Sequence, residues 1–225
     1  MRLNHVLTAI ALTILSLVLE FGACALAEES RWESAIQAFE KQDAEQAPRK
    51  NGIVFVGSSS IRKWDLKKWF PDRNALNRGF GGSEVSDSLE FADRLIVTYE
   101  PRVVVVYAGD NDIAHDKTPQ RVYDDVRQLV ELLHSKLPKT KIVYIGIKPS
   151  IKRWALVGKV REANRLIAGL AAKDTRLEFV DVDEPMLGAD GMPRKELFVE
   201  DGLHLSEVGY ELWASLVRPH LATEK

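Results

Sequence analysis

The sequence predicts an α/β chain: one three-layer α/β/α domain on a mainly parallel sheet of five strands. Three observations carry that reading. Short, continuous apolar runs rich in β-branched residues recur along the chain without polar alternation, the pattern of strands buried on both faces. Stretches with apolar residues at helical spacing separate them, and alternation of this kind implies right-handed crossovers and parallel pairing. The composition is that of an ordinary globular chain: 225 residues, 45% apolar and 28% charged, with 14 Gly and 9 Pro.

Residues 1–27 come first and read as a signal peptide. Arg2 supplies the positive start, Val6 to Leu19 an apolar run, and Ala25-Leu26-Ala27 a small-x-small cleavage site. The run is too short for a bilayer, which takes about 20 apolar residues, and Glu20 interrupts it. Cleavage near Ala27 is expected to remove Cys24, the lone cysteine, and to leave residues 28–225 as an exported domain, periplasmic or secreted, with no stable membrane span; an uncleaved anchor and a lipid-attached Cys24 are the alternatives. A single cysteine excludes an internal disulfide framework, a CxxC redox pair and a multi-cysteine zinc site.

Within the domain, residues 31–46 read as a weak helix. Strands follow at Ile53–Val56, at a brief Ala75–Asn77, at Val103–Tyr107, at Ile142–Ile147 and, less purely, at Leu177–Val182. Between them run helical stripes: Val85, Leu89, Ala92 and Ile96; then Val122, Val126, Leu129, Val130 and Leu133; then Val160, Ala163, Ile167 and Leu170. A last helix is expected from Glu207 to about Val217, with Ser206 as N-cap and Pro219 ending it. The piece after Asp183 is expected to be irregular.

Charge narrows the function. Lys plus Arg total 31 against 33 Asp plus Glu, a formal charge of -2, with no basic run to hold nucleic acid. In parallel α/β sheets ligands bind at the carboxyl ends of the strands, so the polar segments there are the candidates.

Four segments stand out. Gly57-Ser58-Ser59-Ser60 follows the first strand; it exposes a hydroxyl at a helix start, although a plain N-cap accounts for it too. Asn77-Arg78-Gly79-Phe80-Gly81-Gly82-Ser83 lets backbone N–H groups approach a ligand, as would a flexible turn, and its spacing is not the dinucleotide fingerprint. Gly109-Asp110-Asn111-Asp112 offers Asn111, a neutral donor able to bind an oxyanion. The acids there, with His115 and Asp116, fail the calcium-loop template, and no metal site is expected. Asp201-Gly202-Leu203-His204 places a carboxylate where it can hold one imidazole nitrogen and leave the other free as a base. His134 and His220 look like helix-end residues.

Taken in order, these segments resemble the SGNH or GDSL hydrolase family over nearly the whole chain after residue 27. The strongest parts of the match are Gly109-Asp110-Asn111-Asp112 and Asp201-Gly202-Leu203-His204-Leu205-Ser206. The resemblance implies a flavodoxin-like sheet and a serine esterase. Ser59 would be the nucleophile, His204 with Asp201 its base, and Ser59, Gly82 and Asn111 the oxyanion donors. The family's Gly-Asp-Ser reads Gly57-Ser58-Ser59 here, so Ser58 and Ser60 flank the candidate. The α/β-hydrolase elbow fits less well, since its second Gly would fall at Ile61.

The implied reaction is hydrolysis of short-chain, acetyl-like carboxylic esters through an acyl-enzyme, on carbohydrate or cell-wall glycan. It needs no metal or organic cofactor, and it weakens when acid protonates the imidazole. Similarity to platelet-activating factor acetylhydrolases keeps a phospholipid-like ester open. An acyltransferase of the same fold and a non-catalytic exported binding protein are the alternatives. Arg153 and Trp154, in the segment after the fourth strand, are the candidate substrate contacts, with salt bridging and packing as the bland alternative.

Overall fold

The computed structural model of the protein describes residues 30–221; the expected signal peptide, its cleavage site and Cys24 lie outside them. The chain divides into a short N-terminal unit, Met1–Glu33, described only from Ser30, and a main body, Ser34–Lys225. In the first, the Glu33 N–H donates to the Ser30 carbonyl at 2.9 Å. No helix among the described residues is long and apolar enough to cross a membrane.

The elements run α1 (Glu33–Glu45), β1 (Ile53–Gly57), α2 (Ser59–Arg62), α3 (Leu66–Trp69), β2 (Ala75–Gly79), α4 (Val85–Glu90), α5 (Ala92–Leu95), β3 (Val103–Tyr107), α6 (Asp110–Ala114), α7 (Pro119–Lys136), β4 (Lys141–Ile145), α8 (Val157–Ala171), β5 (Leu177–Val180) and α9 (Glu207–Val217). The sheet order is β2-β1-β3-β4-β5 with every pairing parallel. This is the flavodoxin-like order, and the chain reverses its direction of travel across the sheet between β1 and β3.

Side-chain alternation along the strands sets the layers. Phe55, Val105 and Tyr107 turn to one face, where an aromatic core gathers under α9. Tyr107 meets Trp213 with ring centroids 4.8 Å apart, and Trp64 stacks on Tyr210 at 5.6 Å. Trp213 is fully buried, and truncating such a ring costs about 3–5 kcal/mol. Val54, Val104 and Val106 turn to the opposite face, left to α4, α7 and α8, which pack on one another.

Several boundaries differ from the sequence pattern. The stripe from Val85 to Ile96 is two helices rather than one, parted at Phe91, whose buried ring packs edge-on against Phe80 at 6.5 Å. β4 stops at Ile145 because the chain then leaves the sheet: Asn164 of α8 pairs with both the N–H and the carbonyl of Ile147, each at 2.8 Å. β5 stops at Val180, although Val182 stays buried. The segment after Asp183 holds two 3-10 turns and two isolated bridges, Leu187–Pro193 and Phe198–Leu205. α9 spans its expected residues, its Ser206 cap accepting from the Gly209 N–H at 3.2 Å. A 3-10 turn, Arg218–Leu221, carries the chain on through Pro219.

Gly57 closes β1 in a conformation that only glycine adopts freely, with φ +130°. A Cβ there would lie 1.9 Å from the Tyr107 carbonyl oxygen. The same oxygen accepts the Ser58 N–H at 3.0 Å. β1 can therefore lie against β3 and turn at once into α2.

Candidate active site

All four polar segments lie at or past the carboxyl ends of strands, the first starting on the last residue of β1 and the second on the last three of β2. Ser59 follows β1 and Asn111 follows β3, so the two flank the point where the sheet order reverses, the usual ligand crevice of such folds. Of the three consecutive serines, Ser58 and Ser60 are buried, at 3% and 2% exposure. Ser58 is the N-cap residue of α2, yet its side chain makes no capping bond. Ser59 alone of the three hydroxyls has an imidazole beside it: its Oγ–H points to His204 Nε2 at 3.0 Å.

His204 stands on a tight loop after β5. The Val199 N–H donates to the His204 carbonyl and the Gly202 N–H to the Val199 carbonyl, both at 2.9 Å. Within that loop Asp201 Oδ1 accepts the backbone N–H groups of Leu203 and His204, each at 2.9 Å. Its Oδ2 accepts the imidazole Nδ1–H at 2.5 Å. A carboxylate only accepts, so the ring proton sits on Nδ1 and Nε2 is left as an acceptor facing Ser59. Desolvation favours the neutral acid, but these three hydrogen bonds outweigh it and hold the Asp201 carboxyl well below its ordinary value. One strut ties the two sides together: the Tyr210 hydroxyl of α9 donates to the Ser60 carbonyl at 2.9 Å.

The second wall is built from the other two segments. Gly82 has φ +87° in a turn where the Ser83 hydroxyl donates to the Phe80 carbonyl at 2.9 Å. Asn111, on α6, donates from Nδ2 to the Ser83 carbonyl at 2.9 Å. Beside it lies a charge cluster that the sequence does not announce. Asp110 Oδ2 accepts from the Lys148 ammonium at 2.8 Å, and Lys148 also donates to the Tyr107 hydroxyl at 3.0 Å. Asp110 Oδ1 accepts from Arg153 at 2.6 Å. Burial pushes the Asp110 carboxyl upward, but the two cations outweigh it and hold it below its ordinary value. The available signal was a lysine directly after the apolar β4 run, where a strand end is buried.

The remaining acids of the third segment go elsewhere. Asp112 binds Lys117 at 2.8 Å and accepts the Val85 N–H at 3.2 Å. Burial exceeds those bonds and holds its carboxyl above its ordinary value. His115 Nδ1 pairs with Glu84 at 2.7 Å. His134 and His220 lie at helix ends, paired with Asp174 and Glu178.

Arg153 faces Asp110 and Asn111. Trp154 lines a cavity of about 680 Å³ with Ile151, Met192 and Pro193. Ile151 and Met192 are 40% and 44% exposed and share the lining with the exposed Asp190, Lys195 and Glu196, so the cavity is open with a mixed apolar and charged rim; Ser59, His204 and Asn111 do not line it. Another cavity, of about 560 Å³, runs along the outer edge of β2 between Asp43, Arg49 and Lys67, and holds none of the candidate residues.

Comparison with known proteins sets this geometry in a family. The model of the GDSL-like lipase/acylhydrolase family matches residues 55–212, which contain every residue of the two walls. The chain belongs to that family. It is a carboxylic ester hydrolase. Human platelet-activating factor acetylhydrolase IB subunit alpha1 is 27% identical over 189 residues, 81% of this chain and 79% of that one. Two solved structures are similar in fold. One, from Streptococcus pneumonia and described as a platelet activating factor, has a TM-score of 0.76 at 23% identity and covers 95% of this chain and 99% of its own. The other is an acetylxylan esterase from Geobacillus stearothermophilus, at TM-score 0.63 and 15% identity over 78% of this chain and 96% of its own.

Proposed function

We propose that this GDSL hydrolase is a serine esterase that cleaves short-chain, acetyl-like esters through an acyl-enzyme. Ser59 is the nucleophile, His204 its base and Asp201 the carboxylate that orients the imidazole. The single observation that carries the reading is the unbroken line from Asp201 Oδ2 through the His204 ring to Ser59 Oγ, with steps of 2.5 and 3.0 Å.

In the reaction, Nε2 takes the hydroxyl proton as Ser59 Oγ attacks the ester carbonyl. Asp201, ionised well into acid, stabilises the imidazolium that forms. The carbonyl oxygen becomes an oxyanion and is met by the N–H groups of Ser59 and Gly82 and by the free N–H of the Asn111 amide. The imidazolium then protonates the leaving alcohol. Water enters, gives its proton to Nε2 and attacks the acyl carbonyl, and the acid leaves as Ser59 regains its proton.

Acetyl esters of carbohydrate or cell-wall glycan are the preferred substrates. The expected export of the chain supports this, as does an open cavity walled by the Trp154 ring, and the similar acetylxylan esterase hosts that activity on the same fold. The experiment is a rate measurement on aryl esters of increasing acyl length and on acetylated oligosaccharides, for the wild type, Ser59→Ala and Asn111→Ala. Acetyl esters should turn over fastest. Ser59→Ala should lose about 10⁴ or more, and Asn111→Ala about 10²–10³. Undiminished turnover in Ser59→Ala contradicts the assignment, and a preference for long acyl chains contradicts the substrate.

A further inference from the structure

Arg153 follows β4 in sequence, but its guanidinium is engaged on the far side of the site. One terminal nitrogen donates to Asp110 Oδ1 at 2.6 Å, and the other to Asn111 Oδ1 at 3.1 Å. Resting on the reading of Asn111 as an oxyanion donor, we propose that Arg153 is a positioning residue for that donor. It locks the Asn111 amide with one N–H aimed into the site and adds positive charge behind it.

The lock follows from the chemistry of the two partners. A guanidinium has only donors and a backbone carbonyl only accepts. The end of the amide against Arg153 is therefore the oxygen, and the end against the Ser83 carbonyl, 2.9 Å away, is the nitrogen. An inverted amide would set nitrogen against nitrogen and oxygen against oxygen. With both ends pinned, one hydrogen on Nδ2 remains for a ligand. Ser83 is also the neighbour of Gly82, so the two candidate donors hang from one short link.

The charge follows from the count in the cluster. Lys148 and Arg153 bring two cations to the single carboxylate of Asp110, and the three side chains are 1%, 19% and 7% exposed. The surplus positive charge lies against Asn111 and is poorly screened by water. A charged donor on Oδ1 also polarises the amide and strengthens the hydrogen bond its nitrogen can give.

The backbone holds Arg153 in this position. The Lys152 N–H donates to the Gly202 carbonyl at 3.0 Å, so the preceding residue is tied to the loop that carries Asp201 and His204. Ile147, at the start of the segment, is held by Asn164. One stretch of chain thus spans from the imidazole side of the site to the oxyanion side, and its guanidinium closes the link.

A double-mutant cycle tests the proposal on an aryl acetate. Arg153→Met should lower kcat by about tenfold or more, short of the about 10²–10³ that loss of the donor itself costs, with KM unchanged. In an Asn111→Ala background the same substitution should change kcat less than twofold, because there is no amide left to position. Added guanidinium ion should restore part of the Arg153→Met rate and none of the rate of the double variant. Arg153→Lys, run in parallel, keeps the charge on Asp110 but lacks the second nitrogen for Asn111, and should lose rate in the same background-dependent way. It keeps the test decisive if the Met variant fails to fold. Equal losses in both backgrounds, or a change confined to KM, overturn the proposal while leaving Ser59 and Asn111 in their roles. Full activity in Asn111→Ala alone overturns both.

Discussion

Gly57→Ala puts the construction of the site under the heaviest load. The new Cβ would lie 1.9 Å from the Tyr107 oxygen and 2.7 Å from its carbon, where ordinary contact begins at 3.4 Å. Both atoms are backbone, so no side chain can swing away; β1 and β3 must part by about 1.5 Å, the difference between 3.4 and 1.9 Å. The strain of φ +130° adds about 1–3 kcal/mol, and overpacking about 1–3 kcal/mol more. The expected loss is therefore about 2–6 kcal/mol, a large share of the about 5–15 kcal/mol that holds a typical domain together. Ser59 is two residues on, and a displacement of about 1 Å in such a group costs about 10² in rate. Urea unfolding and kcat on an aryl acetate read the two effects separately. Gly169→Ala is the control: it lies in α8 with nothing within 4 Å of a built Cβ, and alanine there should stabilise by about 0.4–1 kcal/mol. A Gly57→Ala protein with wild-type unfolding midpoint and wild-type kcat would refute the reasoning.

Three further substitutions probe the rest. Asp201→Asn keeps the size of the side chain but removes the charge and the acceptor that fix the imidazole proton on Nδ1; kcat should fall by about 10⁴, and a loss below tenfold would contradict the role. Asp110 is held below its ordinary pKa, so its contribution to stability is present above about pH 4 and is lost as pH falls through the folded-state value. Lys148→Met removes one of its two cations, should cost about 3–5 kcal/mol at neutral pH, and should flatten the acid limb of a Tm-against-pH curve, because a carboxyl less depressed in the folded state has less stability to lose; an acid limb as steep as that of the wild type contradicts this. Trp154→Ala opens the apolar wall of the 680 Å³ cavity, and should raise KM for an acetylated oligosaccharide more than for an aryl acetate. Equal changes for the two substrates would place the sugar elsewhere.

Much of the fold was legible because the central strands are buried on both faces. Val103–Tyr107 is apolar throughout and fully enclosed, so its composition alone marks it. The long stripe of α7 was legible for the same reason, since its apolar spacing matches the face it buries. Short elements were not. α2, α3 and α6 run for only four or five residues, too few turns for a helical period to show. The break at Phe91 depends on a ring contact with Phe80 that no local pattern encodes. In the site, Asp201 and His204 were legible together because three residues separate them and the loop between is tight. Ser59 and His204 are 145 residues apart, and only the order of the polar segments after successive strands hinted at their meeting. Arg153 and Asn111 are 42 residues apart with no motif between them. The sequence could therefore offer Arg153 as a substrate contact or as a salt-bridge partner, but could not name Asp110 and Asn111 as the groups it meets.

Treatment of the purified protein with a serine-reactive aryl phosphonate, followed by mass mapping of the adduct, reaches the central claim most directly. The label should appear once per chain, on Ser59 and on neither Ser58 nor Ser60, be absent from Ser59→Ala, and form far more slowly in His204→Ala. An adduct on another residue, or labelling of His204→Ala at the wild-type rate, would show that the hydroxyl beside the imidazole is not the attacking group.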